Sequence, residues 1–364
     1  MSLPELSEID SAWKSRFRGR LNKWFAVNAR DLPWRRSRDP YRVWVSEIML
    51  QQTQVATVEG YFNRFVERFP HVHSLAAAEE EDVLRLWEGL GYYSRARQLH
   101  KAARVIVARH EGRFPSDLQA VRDLPGIGRY TAGAILSIAF DQRQPILEAN
   151  TIRIFARLLA FEGDTTSKHG QEVLWGMAET VLPRKNVGLF NQALMELGSE
   201  VCRGKMPLCR NCPVEPLCAT RQQGKQDSIP RPKARRRIEA KHHAVVLLRH
   251  RQTLLMLKNT EPGRWSGLWD FPRVEIDADH PDNVRRQIIE KVTAKTGLNV
   301  ELGKKLTTLT HGVTRFRITL DCYEGVPTSD PDDSPKSANA QWVAPEDLGE
   351  YPLNVTARKV SRFA

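Results

Sequence analysis

The sequence predicts a multidomain protein: an all-α region that ends in a four-cysteine loop, followed by a smaller α/β domain. Three observations carry this prediction. From about residue 8 to 220, apolar residues recur at helical spacing, with short polar breaks and little β-branched alternation. Four of the five cysteines fall between Cys202 and Cys218. Beyond residue 241 the texture changes to strand-like apolar runs around short turns. A chain of 364 residues also exceeds one ordinary core and suits two or three domains.

The opening segment, MSLPELSEIDSAWKSRF, is polar and amphipathic and lacks the apolar core of a signal peptide. No run of about 18 apolar residues occurs, so no membrane span is expected and the protein is read as soluble and cytoplasmic. With 55 Lys+Arg against 43 Asp+Glu, the net charge of +12 points to an anionic partner, most economically nucleic acid. Charge alone fits a merely basic surface equally well. Asp39-Pro40 marks a helix start, an acidic cap with proline at the first position, and the helix is expected to run through residues 41–58. Inside it, Glu47 follows Trp44 and Val45 in an apolar turn, where burial would raise its pKa towards that of a general acid at neutral pH. Helical spacing would put Gln51 and Gln54 on its face. Taken alone, a surface glutamate of an amphipathic helix is the commoner meaning.

At 124–135, LPGIGRYTAGAI reads as the turn of a helix-hairpin-helix. Gly126 and Gly128 would let the backbone turn tightly and bring bare N–H groups to a phosphate at the next helix. Such contacts position a protein on a duplex without reading bases. A glycine turn between packed helices is nearly as good an explanation. In PILEANTIRIF, Glu148 precedes a helix, where the helix dipole favours an anion whatever its function. The cysteines follow as Cys202-x6-Cys209-x2-Cys212-x5-Cys218. Zinc sites usually use two close pairs and this loop has one, so a cubane iron–sulfur cluster suits it better, with zinc left open.

Residues 221–241, polar and with a dense basic run, read as a linker. Beyond them, residues 242–250 and 253–259 are expected strands around Arg251-Gln252, and 306–312 with 314–324 form a second hairpin. One helix, about 282–296, lies between.

Helix-hairpin-helix, a carboxylate some twenty residues later and the C-x6-C-x2-C-x5-C loop together resemble the endonuclease III superfamily of DNA glycosylases. Within it, DPYRVWVSEIMLQQTQV, LWEGLGYYSRARQL and FNQALMELG are similar to adenine DNA glycosylases of the MutY type. The resemblance implies a helix-hairpin-helix six-helix subdomain at about 30–140 and an iron–sulfur subdomain from 1–29 with 141–220. It further implies a Nudix-like lesion-recognition domain at 242–364. Implied activity is hydrolysis of adenine from A·8-oxoguanine or A·G pairs in duplex DNA, by a monomer carrying a [4Fe-4S] cluster on Cys202, Cys209, Cys212 and Cys218.

The resemblance also implies roles. Glu47 would protonate adenine. Glu148 would take the part of the family's aspartate facing an oxocarbenium-like sugar, with Asn150 beside it. The family's DGN is EAN here, so the carboxylate is one methylene further from the backbone. Bifunctional relatives carry a lysine where Tyr130 stands. A phenol forms no imine, so Schiff-base strand cleavage through this residue is excluded. Tyr92, with Leu90 on the same glycine-rich turn, and Gln52 would fill the gap left by a flipped base. Trp34, Arg35 and Gln192 would line the adenine pocket. In the C-terminal domain the helix offers only Glu290 of the acidic cluster that Nudix hydrolases need for magnesium. Nucleotide hydrolysis is therefore not expected. Leu309-Thr310-His311 stands where the family places a lesion-reading loop, with leucine in place of an aromatic residue. Two rivals remain: a lesion-binding protein without catalysis, and a glycosylase for thymine mismatches or oxidised pyrimidines.

Overall fold

In the computed structural model, residues 6, 9–231, 238–277, 283–313, 315–328 and 339–364 are described. The chain divides into two compact units, Met1–Ala77 with Gln98–Ala234, and Ala78–Arg97 with Arg235–Ala364.

The first unit is helical, as the apolar spacing predicts. Its elements begin with α1 (Ser11–Asn28), α2 (Pro40–Leu50), α3 (Val55–Arg68) and α4 (Val72–Ala76). The short α5 (Glu80–Leu86) belongs to the second unit. Then come α6 (Ser94–His110), α7 (Leu118–Arg122), α8 (Arg129–Phe140), α9 (Ala149–Leu158), α10 (Lys168–Val181), α11 (Val187–Glu200) and α12 (Ala219–Gln222). Helix α2 starts where Asp39-Pro40 predicts, with the Asp39 side chain accepting from Tyr41 N–H. It ends earlier than expected: Gln51–Gln54 forms a break before α3, with Gln52 at φ 59°. Gln54 is therefore the cap of α3 and not on the Glu47 face of α2. The polar run Gln51-Gln52-Thr53 interrupts the apolar stripe, and no glycine or proline announces the turn. Phe17, Leu21, Phe155, Phe190 and Leu197 form a core against which Cys202, Cys212 and Cys218 pack.

In the hairpin before α8, Gly126 has φ 78°, and a Cβ there would meet Gln98 Cβ at 2.7 Å. Glycine is required at that position. Gly128 differs from the expectation. It is the extended N-cap of α8 (φ −91°), and a Cβ on it would meet open space. Only one of the two glycines is needed for the turn.

The second unit is a mixed sheet with strands β1 (Glu239–His250), β2 (Thr253–Lys258), β3 (Trp269–Asp270), β4 (Arg273–Ile276), β5 (Val300–Val313), β6 (Phe316–Pro327) and β7 (Ala340–Val343). Helices α13 (Val284–Thr296) and α14 (Val355–Val360) complete it. The path is β3-β2-β1-β6-β5, with β1 and β6 parallel, β4 paired to β1 and β7 to β2. Central strand β1 buries both faces. Val245 and Leu247 join a core with Ala357 and Val360 of α14, while Ala244, Val246 and Leu248 join one with Ile288 and Val292 of α13. That is why this strand reads as a continuous apolar run rather than an alternation.

The boundary expected at residue 220 needs one correction, since residues 78–97 cluster with the C-terminal part. Glu81 pairs with Lys258 Nζ at 2.7 Å and accepts from Trp269 Nε1 at 3.1 Å. Glu88 pairs with Arg358 at 2.7 Å, and Tyr93 donates to the Leu353 carbonyl at 3.3 Å. Such pairings join segments far apart in sequence and leave no periodic signature. Of the expected linker 221–241, residues 221–222 end α12 and 239–241 start β1. Residues 232–237 lie outside the described residues.

Candidate catalytic pocket

Helices α2, α8, α9 and α11 direct polar side chains into a cavity of about 990 Å³ in the first unit. Glu47 enters from α2, seven of whose other residues are also buried, and is itself only 5 % exposed. Its Oε2 accepts from the Tyr130 hydroxyl of α8 at 2.7 Å. Burial pushes the Glu47 carboxyl up to about 7; the Tyr130 hydrogen bond and Arg35 oppose the shift, while the neighbouring Glu148 adds to it. The burial expected from its apolar neighbours is thus present.

Glu148 is the N-cap of α9. Oε2 accepts from Asn150 N–H at 2.9 Å and Oε1 from Thr151 N–H at 3.0 Å, while Thr151 Oγ1 accepts from Glu148 N–H at 2.7 Å. This reciprocal cap satisfies donors that the first helical turn leaves unpaired. The extra methylene does not carry the carboxylate away from the helix end, because it is folded back onto it. One expectation is corrected. Glu148 stands beside a helix N-terminus, yet burial raises its pKa, against the two backbone N–H groups and Arg153. The two carboxyls are therefore not pushed in opposite directions, and Glu47 differs by how far it rises.

Trp34 lines the cavity and meets Phe62 edge-on at 5.4 Å between ring centroids. Arg35, Gln52, Asn150 and Gln192 also line it. Three lining arginines and one glutamate were not singled out from the sequence: Arg30, Arg153, Arg203 and Glu196. Arg153 Nη2 donates to Asn150 Oδ1 and to the Gly198 carbonyl, each at 2.8 Å, and its Nε donates to the Cys202 carbonyl at 2.6 Å. One turn later, Arg157 donates to Cys202 Sγ at 3.3 Å and the Arg203 carbonyl at 2.7 Å. An Arg-x3-Arg pair on α9 was legible as one helix face. The sequence held the same signal for Glu196 as for Glu47, a lone carboxylate within an apolar helix.

Cys202, Cys209, Cys212 and Cys218 are free thiols that line one recess with Arg157 and Arg221. Among the described residues, no three His, Cys, Asp or Glu side chains are already drawn together as ligands of an ion. The donor set nonetheless fits a thiolate-ligated centre. Burial raises the Cys212 and Cys218 thiols, and neighbouring cysteines add to both shifts. Four thiolates here would need cationic charge, which a metal centre would supply together with Arg157.

The other predicted residues lie in the second unit. Tyr92, at φ 49°, is 48 % exposed, whereas Leu90 is 6 % exposed and part of the core. Leu90, expected beside Tyr92 on the glycine-rich turn, thus has its side chain packed inward. His311 lines a second cavity of about 340 Å³ with Tyr92, Tyr93, Arg264, Trp265 and Lys359. Burial lowers the His311 pKa, and both ring nitrogens are buried without a partner among the described residues. Thr310 is exposed and does not join it: both lie on β5, where successive side chains point to opposite faces. Glu290 sits exposed on α13, paired with Arg286 at 3.6 Å.

Among the described residues no helix is long and apolar enough to cross a membrane. Residues 45–179 match the HhH-GPD superfamily of base excision DNA repair proteins, and residues 243–362 match the NUDIX domain. A thermostable thymine-DNA glycosylase structure superposes with a TM-score of 0.53 at 28% identity, covering 59% of this chain and 100% of that one. Fold and pocket therefore define a helix-hairpin-helix DNA glycosylase joined to a Nudix-like domain. An adenine DNA glycosylase of Rattus norvegicus is 32% identical over 97% of this chain and 78% of its own. Another, from Buchnera aphidicola of Schizaphis graminum, is 39% identical over 69% of this chain and 73% of its own. The chain belongs to the adenine DNA glycosylase family.

Proposed function

We propose that this chain is a monofunctional adenine DNA glycosylase of base excision repair. It hydrolyses the N-glycosidic bond of adenine opposite 8-oxoguanine or guanine in duplex DNA and leaves an abasic site. The observation that carries this reading is one pocket holding a buried carboxyl, Glu47, bonded to a phenol, beside a second carboxyl, Glu148, at a helix N-terminus.

Glu47, raised to about 7, is protonated in about half of the molecules at neutral pH, and that form donates its proton to a ring nitrogen of the extruded adenine. The C1′–N bond then breaks with its electron pair on the base. Glu148 meets the developing sugar cation as an anion; the two backbone N–H groups its oxygens accept from and Arg153 favour that form, against the burial that raises its pKa. Water adds to C1′ and its proton restores Glu47. Tyr130 holds the acid by its hydroxyl, and Asn150 is held by Arg153 beside the stabilising carboxylate. Tyr130 forms no Schiff base, so the strand stays intact until alkali is added.

Trp34, Arg35 and Gln192 line the base pocket, Gln52 and Tyr92 occupy the gap, and His311 reads the lesion, with Thr310 in a lesser part. Gly126 and Gly128 bring the α8 N-terminus to a phosphate. Cys202, Cys209, Cys212 and Cys218 would hold a [4Fe-4S] cluster. When bound, it supplies charge to the four thiolates and fixes the loop that carries Arg203 and Lys205.

Single-turnover reactions on duplexes carrying A·8-oxoguanine, A·G, T·G and an oxidised pyrimidine test the reading. Adenine release from the first two alone is expected. Tight binding with no abasic product from any duplex would mean a binding protein, and thymine release would mean a mismatch enzyme of the kind that the similar thymine-DNA glycosylase represents.

A further inference from the structure

We infer that Glu196 is a positioning residue of this reaction: it locks Arg35 beside the acid and cancels its charge, so that Glu47 keeps its proton. The inference rests on the reading of Glu47 as general acid. Glu196 lies on α11 and its side chain is wholly buried. It holds two guanidinium groups. Arg30 donates from Nε and Nη2, each at 2.8 Å, and from its backbone N–H at 3.0 Å. Arg35 donates from Nη2 at 2.8 Å, and also to the Arg30 carbonyl at 3.3 Å. Four donors converge on one carboxylate in the wall of the Glu47 cavity.

A charge so deep is not kept for stability alone, since a buried ion pair often contributes less than well-packed apolar groups would. Its place in the pocket gives it a use. The groups facing Glu47 are Tyr130 from α8, Glu148 from the start of α9 and Arg35 from the loop before α2. Of these, Tyr130 and Arg35 favour the ionised carboxylate, and Arg35 is the only fixed cation. An uncompensated guanidinium at that place would shift the acid towards its ionised form. Glu196 supplies the compensation, and its own pKa shows how firmly. Burial works to raise it, but the Arg30 and Arg35 hydrogen bonds hold it down to about 2, so it remains an anion throughout the working range. Arg30 is shared with Glu200, paired at 2.8 Å, with Glu59 acting at longer range, so its charge is met several times over. Arg35 depends on Glu196 alone for an ion pair among the described residues.

The test is the pH dependence of single-turnover adenine release from an A·8-oxoguanine duplex, for the full chain. Rate falls at the alkaline side as Glu47 loses its proton. Glu196→Gln should move that limb to lower pH by about one unit, because Arg35 is then uncompensated. Arg35→Gln should move it the other way, because Glu196 is then in excess. The double variant should fall between them. A purely structural role predicts slower release at every pH with the limb unmoved in all three variants, and that result overturns the inference. Should Glu196→Gln fail to fold, Arg35→Gln decides by itself: an alkaline shift sustains the inference and an unshifted limb refutes it. Glu47→Gln run alongside separates the two levels. If it releases adenine at the wild-type rate, the acid is wrongly assigned. If it is inactive while the other limbs stay put, Glu196 alone is.

Discussion

Glu47 is expensive to keep as an anion. Its carboxyl stands at about 7 against an ordinary 4.5, and each unit corresponds to about 1.4 kcal/mol, so ionisation in the folded state costs on the order of 3 kcal/mol. The sign follows from the direction. A pKa raised on folding gives stability that is complete below about 4.5 and lost as pH rises through about 7. Glu47→Gln should therefore stabilise the protein against urea by about 3 kcal/mol at pH 8.5 or so and leave stability nearly unchanged near pH 4. Equal unfolding free energies for the two proteins at both pH values would show that the carboxyl is not buried as described. Glu148 makes a different prediction. Its cap uses both oxygens, and aspartate is itself a preferred cap, so Glu148→Asp should keep release within about tenfold of wild type. Glu148→Gln, which keeps the shape but not the charge, should lose about a hundredfold or more. Comparable rates for all three proteins would leave Glu148 a cap and nothing else. At this scale the sequence was informative because Glu47 and Glu148 sit among apolar residues. It was silent on Glu148's folded-back conformation, which is a matter of rotamer and not of spacing.

The elements place these groups by close approach. Helix α11 passes so near α9 that a Cβ on Gly198 would lie 2.6 Å from Asn150 Cβ and 3.3 Å from its Cα. Backbone and a short side chain cannot both yield, so Gly198→Ala should displace Asn150 and slow release by about tenfold or more. Its alkaline limb should not move, since no charge changes. Duplex affinity measured by fluorescence anisotropy should stay within about twofold, which separates this effect from lost binding. Rates equal to wild type would show that the Asn150 position is not critical. Long helices and the β1–β2 hairpin were legible because apolar periodicity reports burial directly. The end of α2 was not: Gln51–Gln54 turns into the cavity without glycine or proline, and the reason for it is tertiary. Pairing of residues 78–97 with the C-terminal sheet was equally hidden, because Glu81 and Glu88 find partners over 170 residues away.

At the scale of the whole molecule, each unit holds its own cavity, one built on Glu47 and one on His311. Separate cavities predict separable defects. His311→Ala should reduce the preference for A·8-oxoguanine over A·G while leaving the alkaline limb in place, and Thr310→Ala, on the opposite strand face, should do less. A shifted limb in His311→Ala would contradict that division. The net charge of +12 was read correctly as a pointer to an anionic partner, but it could not say which surface meets it. Cysteine spacing is the more specific signal, since four ligand-type residues within one loop have few other uses. The central claim is tested most directly by single-turnover release from a duplex with one A·8-oxoguanine pair, measured across about pH 5 to 9 for wild type and Glu47→Gln. Wild type should release adenine, leave the strand intact until alkali, and slow as pH rises through about 7. Glu47→Gln should bind the duplex and release nothing. Adenine release by that variant at the wild-type rate would contradict the account.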